Sequence, residues 1–236
     1  MKICATTLGE TAGDLLSMTL NVGYAISSLI LLNAFFVILI GQLLVTRYIP
    51  VLYWVVILAT STAGTTMSDY MDRTLGLGYA TGSMILILII ILCEWYFTEK
   101  SLSVSNIKTF KGELFYWTAI LFSNTLVTAL GDFLADDSGL GFAGGAILIS
   151  SILAVVVLLY YFSNISKIVL FWIAFVLTRP FGATLGDLLT KNHEKDGFDF
   201  GTKGSSLILF VVLVGLIIYE TVKRKKTIIT SFENQI

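Results

Sequence analysis

Two kinds of apolar stretch alternate along the chain, and the alternation runs through four times. One kind carries hydroxyls along its length and closes on an aspartate. The other is smoother and follows after a short turn. The closing aspartates are Asp14, Asp69, Asp132 and Asp187, separated by 55, 63 and 55 residues. Self-similarity at such a period means one supersecondary unit copied several times. Runs such as Tyr79–Cys93, Ala143–Phe162 and Ser205–Tyr219 hold no charge, and with their flanks they reach the ~20 residues that cross a bilayer. The pattern predicts eight helices, near 1–18, 22–45, 50–72, 77–97, 112–134, 140–162, 167–189 and 203–222. They group into hairpin repeats of about 1–46, 47–98, 108–163 and 166–222, with a tail over 223–236. The first helix is short: at 1.5 Å per residue it reaches about 27 Å.

The repeats share finer marks. A tryptophan stands 15 residues before the aspartate in three of them, as Trp54, Trp117 and Trp172. In the first repeat Met1 stands where the residue after that tryptophan would be, so either Met1 is not the natural start or this repeat has a shortened first helix. Nine residues after the aspartate a glycine-aromatic pair opens the second helix: Gly23-Tyr24, Gly78-Tyr79 and Gly141-Phe142. In the fourth repeat an insertion from His193 to Lys203 intervenes, and Gly204-Ser205-Ser206 is expected to resume the pattern.

Composition agrees with a polytopic helical membrane protein and excludes a soluble class, since 56% of residues are hydrophobic and 13% charged. The net charge of −1 says nothing about partners, and nothing points to nucleic acid. Cys4, Cys93 and the single His193 make neither a disulfide framework nor a soft-metal site. With no Ser/His pair and no His-rich metal site, an enzyme is not expected. The first residues lack the apolar core of a cleavable signal. Basic residues set the orientation. With eight spans, ten of them fall on one side (Lys2, Arg47, Lys100 and Lys223 among them) and four on the other: Arg73, Lys191, Lys195 and Lys203. Both termini are therefore expected in the cytoplasm, with all repeats pointing the same way.

The tryptophans at 54, 117 and 172, the two-helix repeats and the Gly-Glu-Thr-Ala-Gly-Asp segment from Gly9 to Asp14 resemble a bacterial membrane-protein family of four tandem repeats, the domain of unknown function 347. The resemblance covers essentially the whole chain. It implies a multi-pass protein of the bacterial inner membrane and supplies no activity.

Function has to come from the polar faces. Positions eight and four before each aspartate, with the aspartate itself, are Thr6/Glu10/Asp14, Ser61/Thr65/Asp69, Asn124/Thr128/Asp132 and Arg179/Ala183/Asp187. Such spacing lies on one helical face. The smoother helices offer little beyond Asn33 and Gln42. The economical arrangement is pseudo-fourfold, with polar odd-numbered helices inside and apolar even-numbered helices outside. Gly13, Ser68, Gly131 and Gly186, each just before an aspartate, would let helices approach closely.

Charges inside apolar spans default to a functional reading. Rings of carboxylates select cations, and oxygen-only surroundings suit hard ions such as Mn²⁺, Mg²⁺, Ca²⁺ or Na⁺. The expectation is a transporter of a small hard cation, with a divalent metal favoured and Asp14, Asp69, Asp132 and Asp187 as its ligands. Glu10, Arg179, Asn124, Thr11, Thr66, Thr128 and Thr184 would line the pathway. Arg179 either pairs with Glu10 or an aspartate to hold the bundle, or occupies the site when substrate is absent, and Pro180 beside it interrupts the backbone ladder. The alternatives are a proton-coupled carrier of a small organic solute and a non-transporting scaffold. No resident cofactor is expected. Partners are lipid and the cation, in one chain or a homodimer, and the tryptophans are expected to anchor at the cytoplasmic interface.

Overall fold

The computed structural model describes residues 1–45, 48–78, 81–82, 110–134, 138–195 and 197–233, and their regular structure is helical. In chain order the helices are α1 (Lys2–Asp14), α2 (Tyr24–Leu43), α3 (Pro50–Asp69), α4 (Phe110–Asp132), α5 (Gly141–Phe162), α6 (Lys167–Thr190) and α7 (Gly201–Glu233). The expected helix near 77–97 and the basic segment after it lie outside the described residues, apart from 77–78 and 81–82. Arg47, Lys100, Lys108 and Asp196 also lie outside them.

Local chemistry sets the helix starts. Pro50 stands in the first turn of α3, where its missing N–H would have no partner. The smoother helices open on glycines with positive φ: Gly23 at 82°, Gly141 at 68° and Gly201 at 68°. The pattern in the fourth repeat therefore resumes at Gly201 rather than Gly204. The turn needs a left-handed residue directly at the helix start, and Gly204 already lies inside α7. Past the aspartates, α1 and α3 loosen into π-turns, Leu15–Thr19 and Tyr70–Thr74. Residues 133–134 after α4 do the same. π-turns inside helices occur often at functional sites, and here they follow directly on a buried carboxylate.

The four aspartate-bearing helices are α1, α3, α4 and α6, and each packs chiefly against two of the others: α1 with α3, α3 with α4, α4 with α6, α6 with α1. The α4–α6 contact is the sparsest of these. Each described smoother helix docks on the aspartate helix of the following repeat: α2 on α3, α5 on α6, and α7 on α1. Helices α2, α3 with its π-turn, α5 and α7 as far as Lys223 are long and apolar enough to cross a membrane. Of their apolar windows, 17%, 28% and 22% of residues are buried in α2, α5 and α7, against 56% in α3. Leu29, Val37, Val157 and Leu207 are among many large apolar side chains facing outward. So much apolar surface belongs against lipid, and the chain is a helical membrane protein.

Close approach depends on glycine. A Cβ on Gly9 of α1 would lie 2.5 Å from Ser61 Cβ on α3, one on Gly64 of α3 2.8 Å from Asn124 Cβ on α4, and one on Gly182 of α6 2.7 Å from Thr6 Cβ on α1. These glycines all stand five residues before their aspartate, and each meets the residue eight before the next repeat's aspartate. The last repeat meets the first, so the relation is cyclic. The exception is Val127 of α4, where the partner is Arg179, and that is the sparse contact. A second tier behaves alike: Gly13 faces Thr65 and Gly186 faces Glu10, with virtual Cβ contacts of 3.0 and 2.9 Å.

Near the other end of these helices an apolar core gathers Ala5, Leu8, Phe35, Val56, Trp117 and Leu213. Trp117 is 2% exposed and meets Tyr53 edge-on with ring centroids 5.8 Å apart. This corrects the expected interfacial anchor, because the wide ring fills the inside of the helix crossing. Trp54 ties α3 to α7 by donating from Nε1 to Glu220 Oε2 at 2.9 Å.

Gly64→Ala is expected to lower thermal stability in detergent by about 1–3 kcal/mol, the usual cost of overpacking a tight crossing. Gly215→Ala should not, since a Cβ there meets nothing within 4 Å. Equal unfolding temperatures for the two variants would contradict the close crossing.

Candidate functional site

The polar faces of α1, α3, α4 and α6 stack in layers along the helices. The layer eight residues before the aspartates, Thr6, Ser61, Asn124 and Arg179, surrounds a small cavity, with Val127 beside it. Glu10, Thr128 and Ala183 of the layer four before close that cavity on one side. Its size is that of about one water molecule. All of the polar residues named here are nine-tenths or more buried.

Glu10 is the chemical centre of this layer. Its Oε2 accepts hydrogen bonds from Thr65 Oγ1 at 2.9 Å and Thr128 Oγ1 at 3.2 Å, and the two hydroxyls stand 3.5 Å from each other. Among the described residues no basic side chain forms an ion pair with it. Burying an ionised carboxylate beside neutral donors alone is costly, so this position calls for a positive charge. Arg179 shares the cavity wall, yet its Nη1 donates to the main-chain oxygen of Ile120 at 3.2 Å. The expected pairing of Arg179 with Glu10 or an aspartate is not what the described residues show. Val127 stands where the other three repeats have the crossing glycine, and the sparser α4–α6 contact there leaves Arg179 room to reach α4 instead.

One turn further along lie the aspartates, each 3–4% exposed. They are held in two pairs by basic residues that stand just past the expected helix ends. Lys191 Nζ lies 2.9 Å from Asp14 Oδ2 and 3.0 Å from Asp187 Oδ1, joining the first and fourth repeats. Arg73 Nε lies 2.9 Å from Asp69 Oδ1, and its Nη2 3.9 Å from Asp132 Oδ2, joining the second and third. Both basic residues stand four after an aspartate, a spacing that brings side chains together on a helix. That was the available signal. Burial works against charge on Lys191, but Asp187 and Asp14 outweigh it and hold its pKa well above the ordinary lysine value. The insertion of the fourth repeat seats it. Phe198 N–H donates to Leu188 O at 2.7 Å and Asp199 N–H to Lys191 O at 2.9 Å, capping carbonyls at the end of α6.

Two expectations change. Among the described residues no three carboxylate, histidine or cysteine groups come together to hold a metal ion. The aspartates do not form the anticipated ligand set because Lys191 and Arg73 stand between them. Thr11, Thr66 and Thr184, three residues before their aspartates, do not line the cavity. Thr11 Oγ1 accepts from Ser206 of α7 at 2.9 Å, the carbonyl of Thr66 accepts from Ser28 of α2 at 2.6 Å, and Thr184 packs near Gly145 of α5. One residue of helical rotation separates them from the cavity face.

A family model described as Repeat of Unknown Function (DUF347) matches residues 1–48, 52–101, 115–166 and 170–226. No curated protein and no solved structure matches the chain.

Lys191→Met should destabilise the protein by about 3–5 kcal/mol, because it strands two buried carboxylates. Adding Asp187→Asn should recover part of the loss, which a double-mutant cycle of unfolding temperatures measures. Additive effects would mean that the Lys191–Asp187 contact carries no coupling.

Proposed function

We propose that this chain, which belongs to the Repeat of Unknown Function (DUF347) family, transports a small hard cation between its four aspartate-bearing helices. The observation that carries the reading is Glu10: a buried carboxylate on a polar cavity, partnered by neutral hydroxyls. A cation there would find the carboxylate and the oxygens of Ser61, Thr65, Thr128 and Asn124 around it. One carboxylate among neutral oxygens suits a monovalent ion better than a divalent one, whose sites usually hold more negative ligands. The cavity has room for about one water, which favours a dehydrated ion over an organic solute.

In this reading the bundle has eight spans in pseudo-fourfold array, polar helices within and apolar helices toward lipid. The cyclic glycine contacts and the docking of α7 back on α1 support it. Both termini face the cytoplasm and the aspartate layer faces outward, as the basic residues favour. Lys191 and Arg73 then act as built-in counter-ions at the outer mouth. They keep the aspartate layer from trapping the passing ion, since conduction needs binding weak enough for release.

Proteoliposomes should take up Na⁺ or another small hard cation, and Glu10→Gln should abolish uptake. Thr65→Val and Thr128→Val should each weaken apparent affinity about tenfold, the loss of one hydrogen bond to a charged group. Failure of Na⁺, H⁺, Mg²⁺, Mn²⁺ and Ca²⁺ alike to move would defeat the transport reading.

Orientation is separately testable in a chain whose Cys4 and Cys93 are replaced by serine. Glu194→Cys should react with a membrane-impermeant maleimide on intact cells, and Tyr48→Cys only after permeabilisation. The reverse pattern would invert the topology.

A further inference from the structure

The two aspartate pairs are not equivalent, and the difference points to a proton. Lys191 reaches both of its carboxylates at 2.9 and 3.0 Å. Arg73 reaches Asp69 at 2.9 Å but stands 3.9 Å from Asp132, beyond hydrogen-bond range. Oδ2 of Asp69 and Oδ2 of Asp132 are both shut off from solvent with no hydrogen-bond partner among the described residues, and neither Asp14 nor Asp187 has an oxygen in that condition. The two residues are 3% and 4% exposed.

An unsatisfied buried carboxylate oxygen is costly, and the group neutralises rather than persist as a bare charge. Two carboxylates beside one guanidinium leave one negative charge over. The surroundings add more of that sign than of the other. Glu10 and Asp14 of α1 and Asp187 of α6 act on this pair, with Lys191 as the second positive charge, and Tyr24 of α2 lies within the field of Asp69. Like charges that share a site hold a proton between them.

We propose that Asp69 and Asp132 bind one shared proton, carried on Oδ2 of Asp132 and donated to Oδ2 of Asp69. That single O–H satisfies both orphaned oxygens and cancels the surplus charge. Asp69 keeps its ion pair with Arg73, so the proton belongs on Asp132, the carboxylate that the guanidinium holds less closely. Release moves the proton from Asp132 to water and leaves both carboxylates ionised beside Arg73. The site therefore exchanges one proton per chain. It stands apart from the transport reading, because whether any ion crosses the membrane does not enter it.

Infrared difference spectroscopy on the full-length protein in lipid reads it directly. At neutral pH the wild type should show the C=O stretch of a protonated carboxyl, shifting in D₂O. Asp132→Asn and Asp69→Asn should each remove that band, because either substitution leaves one carboxylate fully matched by Arg73. An ordinary protonated Asp132 would lose the band in Asp132→Asn alone. Asp14→Asn should leave it in place. Should an asparagine variant fail to fold, Asp132→Glu keeps the acid and should move the band rather than delete it. A wild type without the band, a band that only one of the two asparagine variants removes, or a band that Asp132→Glu leaves unmoved would overturn the shared proton.

Discussion

Five carboxylates inside a membrane bundle impose the condition that the rest of this structure meets. Glu10 and the four repeat aspartates are each at most 4% exposed, so bulk solvent does not carry their charge. An intramembrane charge is tolerated when it pairs or lines a polar cavity, and the chain uses both answers. Lys191 and Arg73 bind the aspartates in pairs, while the threonines of α3 and α4 turn toward Glu10. Most other hydroxyls are satisfied at home, as Thr7, Thr62 and Thr125 show by donating to carbonyls of their own helices. Of the hydroxyls that cross between helices, those of Thr65 and Thr128 converge on Glu10, while Ser28 and Ser206 tie α2 and α7 to α3 and α1.

Bringing those groups together requires helices that nearly touch. Lipid supplies no hydrophobic drive between helices, so van der Waals packing across small residues has to do it. The glycines five and one before the aspartates fill that role, and in the one junction where valine replaces glycine the helices stand further apart. The cavity opens beside that junction, against Arg179. A departure from repeat symmetry thus sits next to the polar cavity, which fits the general tendency for locally inconsistent positions to be functional.

The repeats also differ in charge. Only the second and fourth carry a basic residue four after the aspartate, so a fourfold backbone pattern supports a twofold pairing of charges. The two pairs are then free to differ, one held tightly on both sides and one held on a single side. Identical repeats would have given four equal sites.

Much of this was legible along the chain. The spacing of the aspartates and the switch between hydroxyl-rich and smooth stretches determined the repeats and the position of every described helix to within a few residues, except at the end of α7, because a 3.6-residue period and charge-free runs are local properties. The faces carrying Glu10, Thr65 and Thr128 were legible for the same reason. What the sequence could not settle was which way neighbouring faces turn and what meets them. Thr11, Thr66 and Thr184 differ from the cavity positions by one residue of rotation, and only the tertiary packing decided that they do not line the cavity. Arg73 and Lys191 stand just past the expected helix ends, and the ends of α3 and α6 curl them onto carboxylates of their own and of another repeat. Pairing across residues as far apart as Asp14 and Lys191 depends on the circuit of helices closing, and that is a property of the tertiary structure alone.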